Sequence, residues 1–203
     1  MANEYDQNKE TKGWRGPDVV FGLVYEFIKP GQDILDIGIG TGLGSILFHK
    51  AGLHVHGMDM SEQMLEVCRS KGFSEDLKVH DLTAEPYPYS DAMFDHVVCI
   101  GVLNHFEDLR VVFSETSRIL KDNGIFAFIV GDRKNSEESS FHVEHGDTQT
   151  TMYRHSAEQI GRFLEEGDFV LIKELEFPVE GHKVKGQPLR LKAYVAKRQK
   201  RVE

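Results

Sequence analysis

The stretch Ile34-Leu35-Asp36-Ile37-Gly38-Ile39-Gly40-Thr41-Gly42 constrains this chain more than any other. Ile34 to Ile37, apolar except for Asp36, reads as a strand buried on both faces. Three glycines at alternate positions then allow a sharp turn and a close approach of ligand to backbone. An apolar segment from about Leu43 to Lys50 reads as a helix that Gly52 stops. A helix starting there aims its free N–H groups at whatever lies over the turn. Strand, glycine turn and helix in that order is a layout of nucleotide sites. The dinucleotide spacing G-x-G-x-x-G is not met, since its last position falls on Leu43 counted from Gly38 and on Ser45 counted from Gly40. A plain strand-to-helix turn uses the same residues, so the other strand ends decide.

Those ends point one way. Val55 to Met60 reads as a second strand ending in Asp59, 21 residues after Gly38, where nucleotide sites place an acid for the ribose hydroxyls. Ser61 caps the helix that follows, to about Lys71, with Gly72 as its stop. Leu77 to Asp81 is a third strand, again closing on an acid. Phe94 to Ile100 is a fourth, nearly all apolar, closing on Gly101. A helix with Leu109, Val112, Phe113, Thr116, Ile119 and Leu120 on one face leads through Asp122-Asn123-Gly124 into a strand from Ile125 to Val130. Alternating strands and helices predict a parallel sheet covered on both faces. Ligands of such sheets bind beyond the strand C-terminal ends, so Asp36, Asp59, Asp81 and Gly101 converge on one crevice.

The flanks are less regular. Gly16-Pro17 opens a helix with Val19, Val20, Leu23, Val24 and Phe27 on one face, and Pro30-Gly31 ends it. Trp14, the only tryptophan, reads equally as a hydrophobic plug or as a lid over a ligand. Residues 132–151 are polar and read as a long loop, the kind that forms a lid. Ser156-Ala157-Glu158-Gln159 is a capping box for a helix to Glu166. Phe169 to Phe177 and Leu189 to Lys197 read as a terminal antiparallel hairpin.

The 203 residues suit one domain, with 1–29 as an N-terminal cap segment and 132–155 as the lid. Net charge is −9, split into −16 over residues 1–180 and +7 over 181–203. An acidic body repels phosphate, so no nucleic-acid partner is expected. The basic end reads as charge guarding an edge strand. Cys68 and Cys99 sit in apolar patterns and read as reduced core residues. With no apolar leader and no run long enough for a bilayer, the expectation is a cytoplasmic protein without membrane contact. His142 and His145 lack the acid or cysteine that would complete a metal set, so no metal is expected.

Taken together, the pieces Leu35-Asp36-Ile37-Gly38-Ile39-Gly40-Thr41-Gly42, Gly57-Met58-Asp59-Met60-Ser61, Asp81-Leu82, Phe94 to His105 and Leu120 to Ile125 resemble the class I S-adenosylmethionine-dependent methyltransferases. Within that class the chain resembles the small enzymes grouped with the ubiquinone/menaquinone C-methyltransferases. Asn123-Gly124 stands where that group often has Pro-Gly. The resemblance implies a three-layer Rossmann-like sheet of seven strands, mostly parallel with the last antiparallel. It implies S-adenosylmethionine as cofactor and methyl transfer to a small-molecule acceptor.

The resemblance also implies roles for individual residues. Asp36 acts near the cofactor's amino group, and Gly38, Gly40, Thr41 and Gly42 lie along its methionine part. Asp59 holds the ribose, Met60 packs on adenine, and Asp81 and Leu82 meet its edge and ring. Ile100 and Gly101 line the methionine end. His105 is the candidate base, with packing of a helix start as its other reading. Apart from the resemblance, Trp14 is placed near the acceptor as a lid residue, and Arg15, Arg133, Tyr153 and Arg154 are placed at the pocket mouth, where they suit a carboxylate or phenol, although arginine is more commonly a surface residue. A monomer or homodimer is expected. Two other readings remain: a nicotinamide-dependent oxidoreductase, disfavoured by the glycine spacing, and a cofactor-binding partner protein without turnover.

Overall fold

The structure, a computed structural model, describes residues 6–7, 13–134, 137–145, 148–184 and 187–200. Parts of the expected cap (1–5, 8–12), of the expected lid (135–136, 146–147) and of the basic tail (201–203) lie outside them.

A helix, α1 (Gly16–Val24), carries Pro17 in its first turn and buries Val20 and Val24. Five strands then alternate with helices: β1 (Asp33–Ile37), α2 (Ile46–Lys50), β2 (His54–Asp59), α3 (Glu62–Ser70), β3 (Ser74–Val79), β4 (Phe94–Cys99), α4 (Arg110–Ile119) and β5 (Leu120–Asp132). A short 3-10 turn, Leu103–His105, follows β4. The remainder is β6 (Ser140–His145), β7 (Thr148–His155), α5 (Ala157–Glu166), β8 (Phe169–Val184) and β9 (Gln187–Arg198).

The main sheet runs β3-β2-β1-β4-β5, all parallel, and continues through β9, antiparallel to β5, to β8, antiparallel to β9. Seven strands with the last of the chain antiparallel is the expected architecture. Its direction of build-up reverses between β1 and β4, which places the switch-point crevice at their C-terminal ends.

Alternation along the strands divides the apolar residues between two layers. Leu35, Ile37, Val97, Cys99, Phe126 and Phe128 pack with Phe113 of α4 and Ile160 of α5. Ile34, Val98, Ala127 and Ile129 pack on the other side with Val20 and Val24 of α1, Phe48 of α2 and Leu65 of α3. Both cysteines are buried and free.

The segment expected to be an irregular loop is different. Within it, β6 and β7 pair antiparallel, with Phe141 opposite Met152. Its second strand runs parallel to the last residues of β5, pairing Gly131 with Arg154 and Asp132 with His155. His155 Nε2 lies 3.1 Å from the Phe106 carbonyl, fixing the hairpin to the turn after β4. Burial lowers the pKa of this histidine, which suits the neutral ring. No helix among the described residues is long and apolar enough to cross a membrane.

Candidate cofactor site

A cleft opens at the switch point. It is lined by Trp14, Pro17, Asp36, Gly38, Ile39, Gly40, Thr41, Leu43, Gly44, Ile100, Gly101 and Val102. Seven of these were singled out in the sequence.

The turn after β1 is held by backbone. Gly38 and Ile39 N–H donate to the Met58 carbonyl at 2.8 and 3.1 Å, tying the turn to the end of β2. Gly38 has φ +73°, and a Cβ there would stand 2.6 Å from Val102 Cγ2, so the residue must be glycine on both grounds. Gly40 N–H donates to Asp59 Oδ2 at 2.9 Å, while Asp59 Oδ1 accepts from Ser61 N–H at 2.9 Å. Asp59 thus joins the glycine turn to the start of α3. Met60 beside it is 68% exposed, an apolar thioether open to solvent at a strand end.

Asp36 is the chemically unusual group. Its alternation in β1 puts it on the α1–α3 side of the sheet, level with Gly57 and Val98, and it is only 2% exposed. Ser45 Oγ donates to its Oδ2 at 2.5 Å, and Oδ1 has no partner. Burial pushes its pKa up to about 7. The Ser45 bond opposes this and the negative charge of Asp59 adds to it. A buried carboxyl with one oxygen unused, at the wall of a cleft, is a receptor for a cation or a strong donor. Gly44 is part of that arrangement, since a Cβ there would lie 3.2 Å from Asp36 Oδ2.

The other sequence candidates divide. Gly42 belongs to the core: a Cβ on it would meet the Phe73 ring at 2.5 Å and Cys68 Sγ at 2.8 Å. Leu82 is buried in the α4–α5 layer, with the Tyr87 hydroxyl donating to its carbonyl at 3.0 Å. Asp81 is exposed just past β3, and its Oδ1 accepts from Thr83 N–H and Oγ1 at 2.9 and 2.8 Å. Those two bonds hold its carboxyl below the usual range. His105 is exposed at the end of the 3-10 turn, its N–H donating to the carbonyl of Val102, which lines the cleft. Arg15 is exposed, 4.0 Å from Asp18. Tyr153 lies in β7, and alternation puts it on the face opposite Arg154. Among the described residues no group of three potential metal ligands occurs.

Sequence reasoning missed Ser45, Gly44 and Val102, whose roles exist only because the turn folds back on Asp36 and Gly38. It also missed Asp6. Thr41 Oγ1 donates to Asp6 Oδ1 at 2.5 Å, and Lys71 Nζ donates both to Asp6 and, at 2.7 Å, to the Thr41 carbonyl. Trp14 lies over Gly101, its ring 3.1 Å from where a Cβ would stand, and against Gly16. The N-terminal residues described therefore touch the glycine turn and the cleft.

Comparison with known proteins agrees with this geometry. Residues 35–128 match a family profile described as a methyltransferase domain. An uncharacterised methyltransferase of Bacillus subtilis, YcgJ, is 34% identical over 140 residues, covering 64% of this chain and 55% of that protein. Phosphoethanolamine N-methyltransferase 2 of Caenorhabditis elegans is 35% identical over 100 residues, covering 47% of this chain and 23% of the relative. The chain thus spans about half, or less, of the length of these curated relatives. An S-adenosylmethionine-dependent methyltransferase of Methanosarcina mazei superposes with a TM-score of 0.74 at 17% identity, covering 87% of this chain and 97% of the other, a likeness of fold.

Proposed function

We propose that the chain, whose residues 35–128 match a methyltransferase-domain profile, transfers the methyl group of S-adenosylmethionine to a small-molecule acceptor. The observation that carries this reading is Asp36, a buried carboxyl with Oδ1 unpartnered at the wall of the glycine cleft. An α-ammonium is the complement of such an oxygen. Gly38 and Gly40 leave the backbone bare for the methionine part, and Asp59 and Met60 stand at the next strand end for ribose and adenine. Asp81, farther along the same edge and with Oδ2 outside its turn bonds, suits the adenine amino group. Gly42 and Leu82 act by packing and touch no ligand in this reading.

The cofactor supplies a methyl group already activated on a sulfonium, so the protein's task is alignment and exclusion of water. Trp14, Ile100, Gly101 and Val102 give that end of the cleft an apolar wall. The side chains at that end, Trp14, Ile100 and Val102, carry no nucleophile, which suits direct transfer to an acceptor. His105, exposed and three residues after the cleft-lining Val102, is the residue we assign to take the proton of an acceptor that must lose one. Acceptors named for the relatives range from phosphoethanolamine to sterol and demethylmenaquinone, so they select no single chemistry. The small size of the acceptor rests on the acidic body, which disfavours polyanions.

Isothermal titration with S-adenosylmethionine, S-adenosylhomocysteine and NAD tests the proposal. Binding of the first two and not the third is expected. Heat with NAD and none with the methyl donor overturns it.

A further inference from the structure

Most arginines among the described residues sit beside a carboxylate, whereas Arg133, Arg154 and the exposed Arg162 do not. Arg118 lies 2.7 Å from both Glu115 and Asp91. Arg190 meets Glu137 at 2.8 Å, with Glu176 at 3.4 Å. Arg198 approaches Asp122 at 3.4 Å. Exposed Arg15, Arg69 and Arg110 also have carboxylate partners. Arg133 and Arg154 are the half-buried arginines that, among the described residues, have no carboxylate within ion-pair distance. In each, Nε is shut from solvent with no acceptor. In a chain with 33 acids against 24 bases, two partly buried cations left unpaired are costly, and a bound anion offsets that cost.

Their placement matters as much. Arg154 pairs with Gly131 at the end of β5, and a Cβ on Gly131 would meet Arg154 Cγ at 3.0 Å. Strand alternation puts Gly131 and Arg133 on the face that carries Ala127 and Ile129, the layer shared with Trp14 and α1. Both guanidinium groups therefore stem from the C-terminal edge of the sheet, on the face of the sheet that carries Trp14. Arg154 lies over the Phe141 ring at 5.3 Å, which orients it without neutralising it. One carboxylate in electrostatic reach of Arg154 is Glu137, held low mainly by the Lys134 N–H and Arg190 and in smaller part by Arg154. Glu137 is already engaged by both contacts to Arg190 and by Lys134 N–H. Near Arg133 stands His155, neutral through burial.

We propose that Arg133 and Arg154 form an oxyanion receptor that holds a carboxylate or phosphate group of the methyl acceptor. The assignment of the anion to the acceptor rests on the methyltransferase reading; the receptor itself does not. Planar guanidinium forks match both oxyanions in pairs of parallel hydrogen bonds, so the acceptor is a small organic acid or a phosphomonoester. An uncharged, wholly apolar acceptor is excluded.

The test uses the full chain saturated with S-adenosylhomocysteine, with benzoate and inorganic phosphate titrated separately at fixed ionic strength. Calorimetric binding of at least one probe is expected, with a matching rise in the thermal midpoint of the wild-type chain. The preferred probe tells which class of acid is held. Arg133→Gln and Arg154→Gln are each expected to weaken that probe roughly tenfold or more, with S-adenosylhomocysteine affinity unchanged. Arg162→Gln, the same loss of charge on an exposed arginine, is expected to change neither. Absence of binding and of thermal shift for both probes in the wild-type chain overturns the receptor, as does equal probe affinity in folded Arg133→Gln and Arg154→Gln. Loss of cofactor binding in the wild-type chain would instead sink the methyltransferase reading, and the thermal shift with the probes alone would still report on the receptor.

Discussion

Replacing Asp36 by Asn should make the empty protein more stable and its cofactor weaker. The wild-type carboxyl has its pKa raised from 3.8 to about 7, chiefly by burial. Its proton is held more tightly in the folded chain than in the unfolded one. The associated stability is therefore present in full below about pH 4 and is lost progressively as pH rises through about 7. Roughly three pKa units at about 1.4 kcal/mol each make the cost on the order of 4 kcal/mol at pH 8. Asn removes that cost and keeps an acceptor for the Ser45 hydroxyl. It also leaves an amide N–H without a partner, costing about 1–3 kcal/mol. The net gain at pH 8 is about 1–3 kcal/mol. At pH 5 the wild-type group is largely protonated, so the mutational effect should fall by about 2–3 kcal/mol between the two pH values, whatever the amide costs. Urea denaturation at pH 8 and pH 5 reads this directly, and calorimetry at pH 8 should show cofactor binding weakened by about 2–3 kcal/mol. A stability difference that is the same at both pH values refutes the burial argument. Unchanged cofactor affinity removes Asp36 from the site.

Asp59→Ala removes an anchor of the Gly40 and Ser61 N–H groups as well as the proposed ribose acceptor, and should weaken cofactor binding by about 2–4 kcal/mol; titration of a folded variant with unchanged affinity would count against it. Gly42→Ala should destabilise the fold by about 2 kcal/mol or more, since φ is +85° and the new methyl meets Phe73 and Cys68. A variant as stable as wild type by chemical denaturation would show that the turn relaxes. Trp14 is the sole tryptophan, so its emission should change when cofactor enters the cleft it lines; constant emission at calorimetric saturation would place its ring away from the ligand. Hydrogen exchange in residues 140–155 should slow when cofactor and acceptor are both bound, and equal protection in both states would make the hairpin a fixed support.

The centre of the sheet was legible because β1, β4 and β5 are buried on both faces and therefore read as nearly unbroken apolar runs. The strands β1, β2 and β4 end at or near Asp36, Asp59 and Gly101, residues that break the apolar run. The β6–β7 hairpin was not legible in the same way. Residues 148–155, Thr-Gln-Thr-Thr-Met-Tyr-Arg-His, hold few apolar side chains, because this ribbon gains its stability from docking against the end of β5 and the Phe106 carbonyl. Its local signals were the alternation of Phe141 and Val143 and the pair Gly146-Asp147, a two-residue hairpin sequence. Low hydrophobicity outweighed them.

The three glycines show where sequence reading runs out. Spacing makes Gly38, Gly40 and Gly42 look like equal parts of one ligand loop, and all three have positive φ. Their neighbours separate them. Gly38 is required by Val102, a residue 64 positions later, and Gly42 by Phe73 and Cys68 beneath α3, while a methyl on Gly40 would find only Asp59 Oδ2, at 4.0 Å. Gly40 is therefore glycine for its backbone conformation, and Gly42 for its backbone conformation and for packing. The same holds for charge. That Asp36 is acidic is plain in the sequence, but its raised pKa needs the depth of β1 and the distant Asp59. That Arg133 and Arg154 are basic is equally plain, but their lack of a carboxylate among the described residues depends on side chains far away in the sequence. Residue type is local information, whereas burial and pairing are sums over the whole fold, and function here depends on the sums.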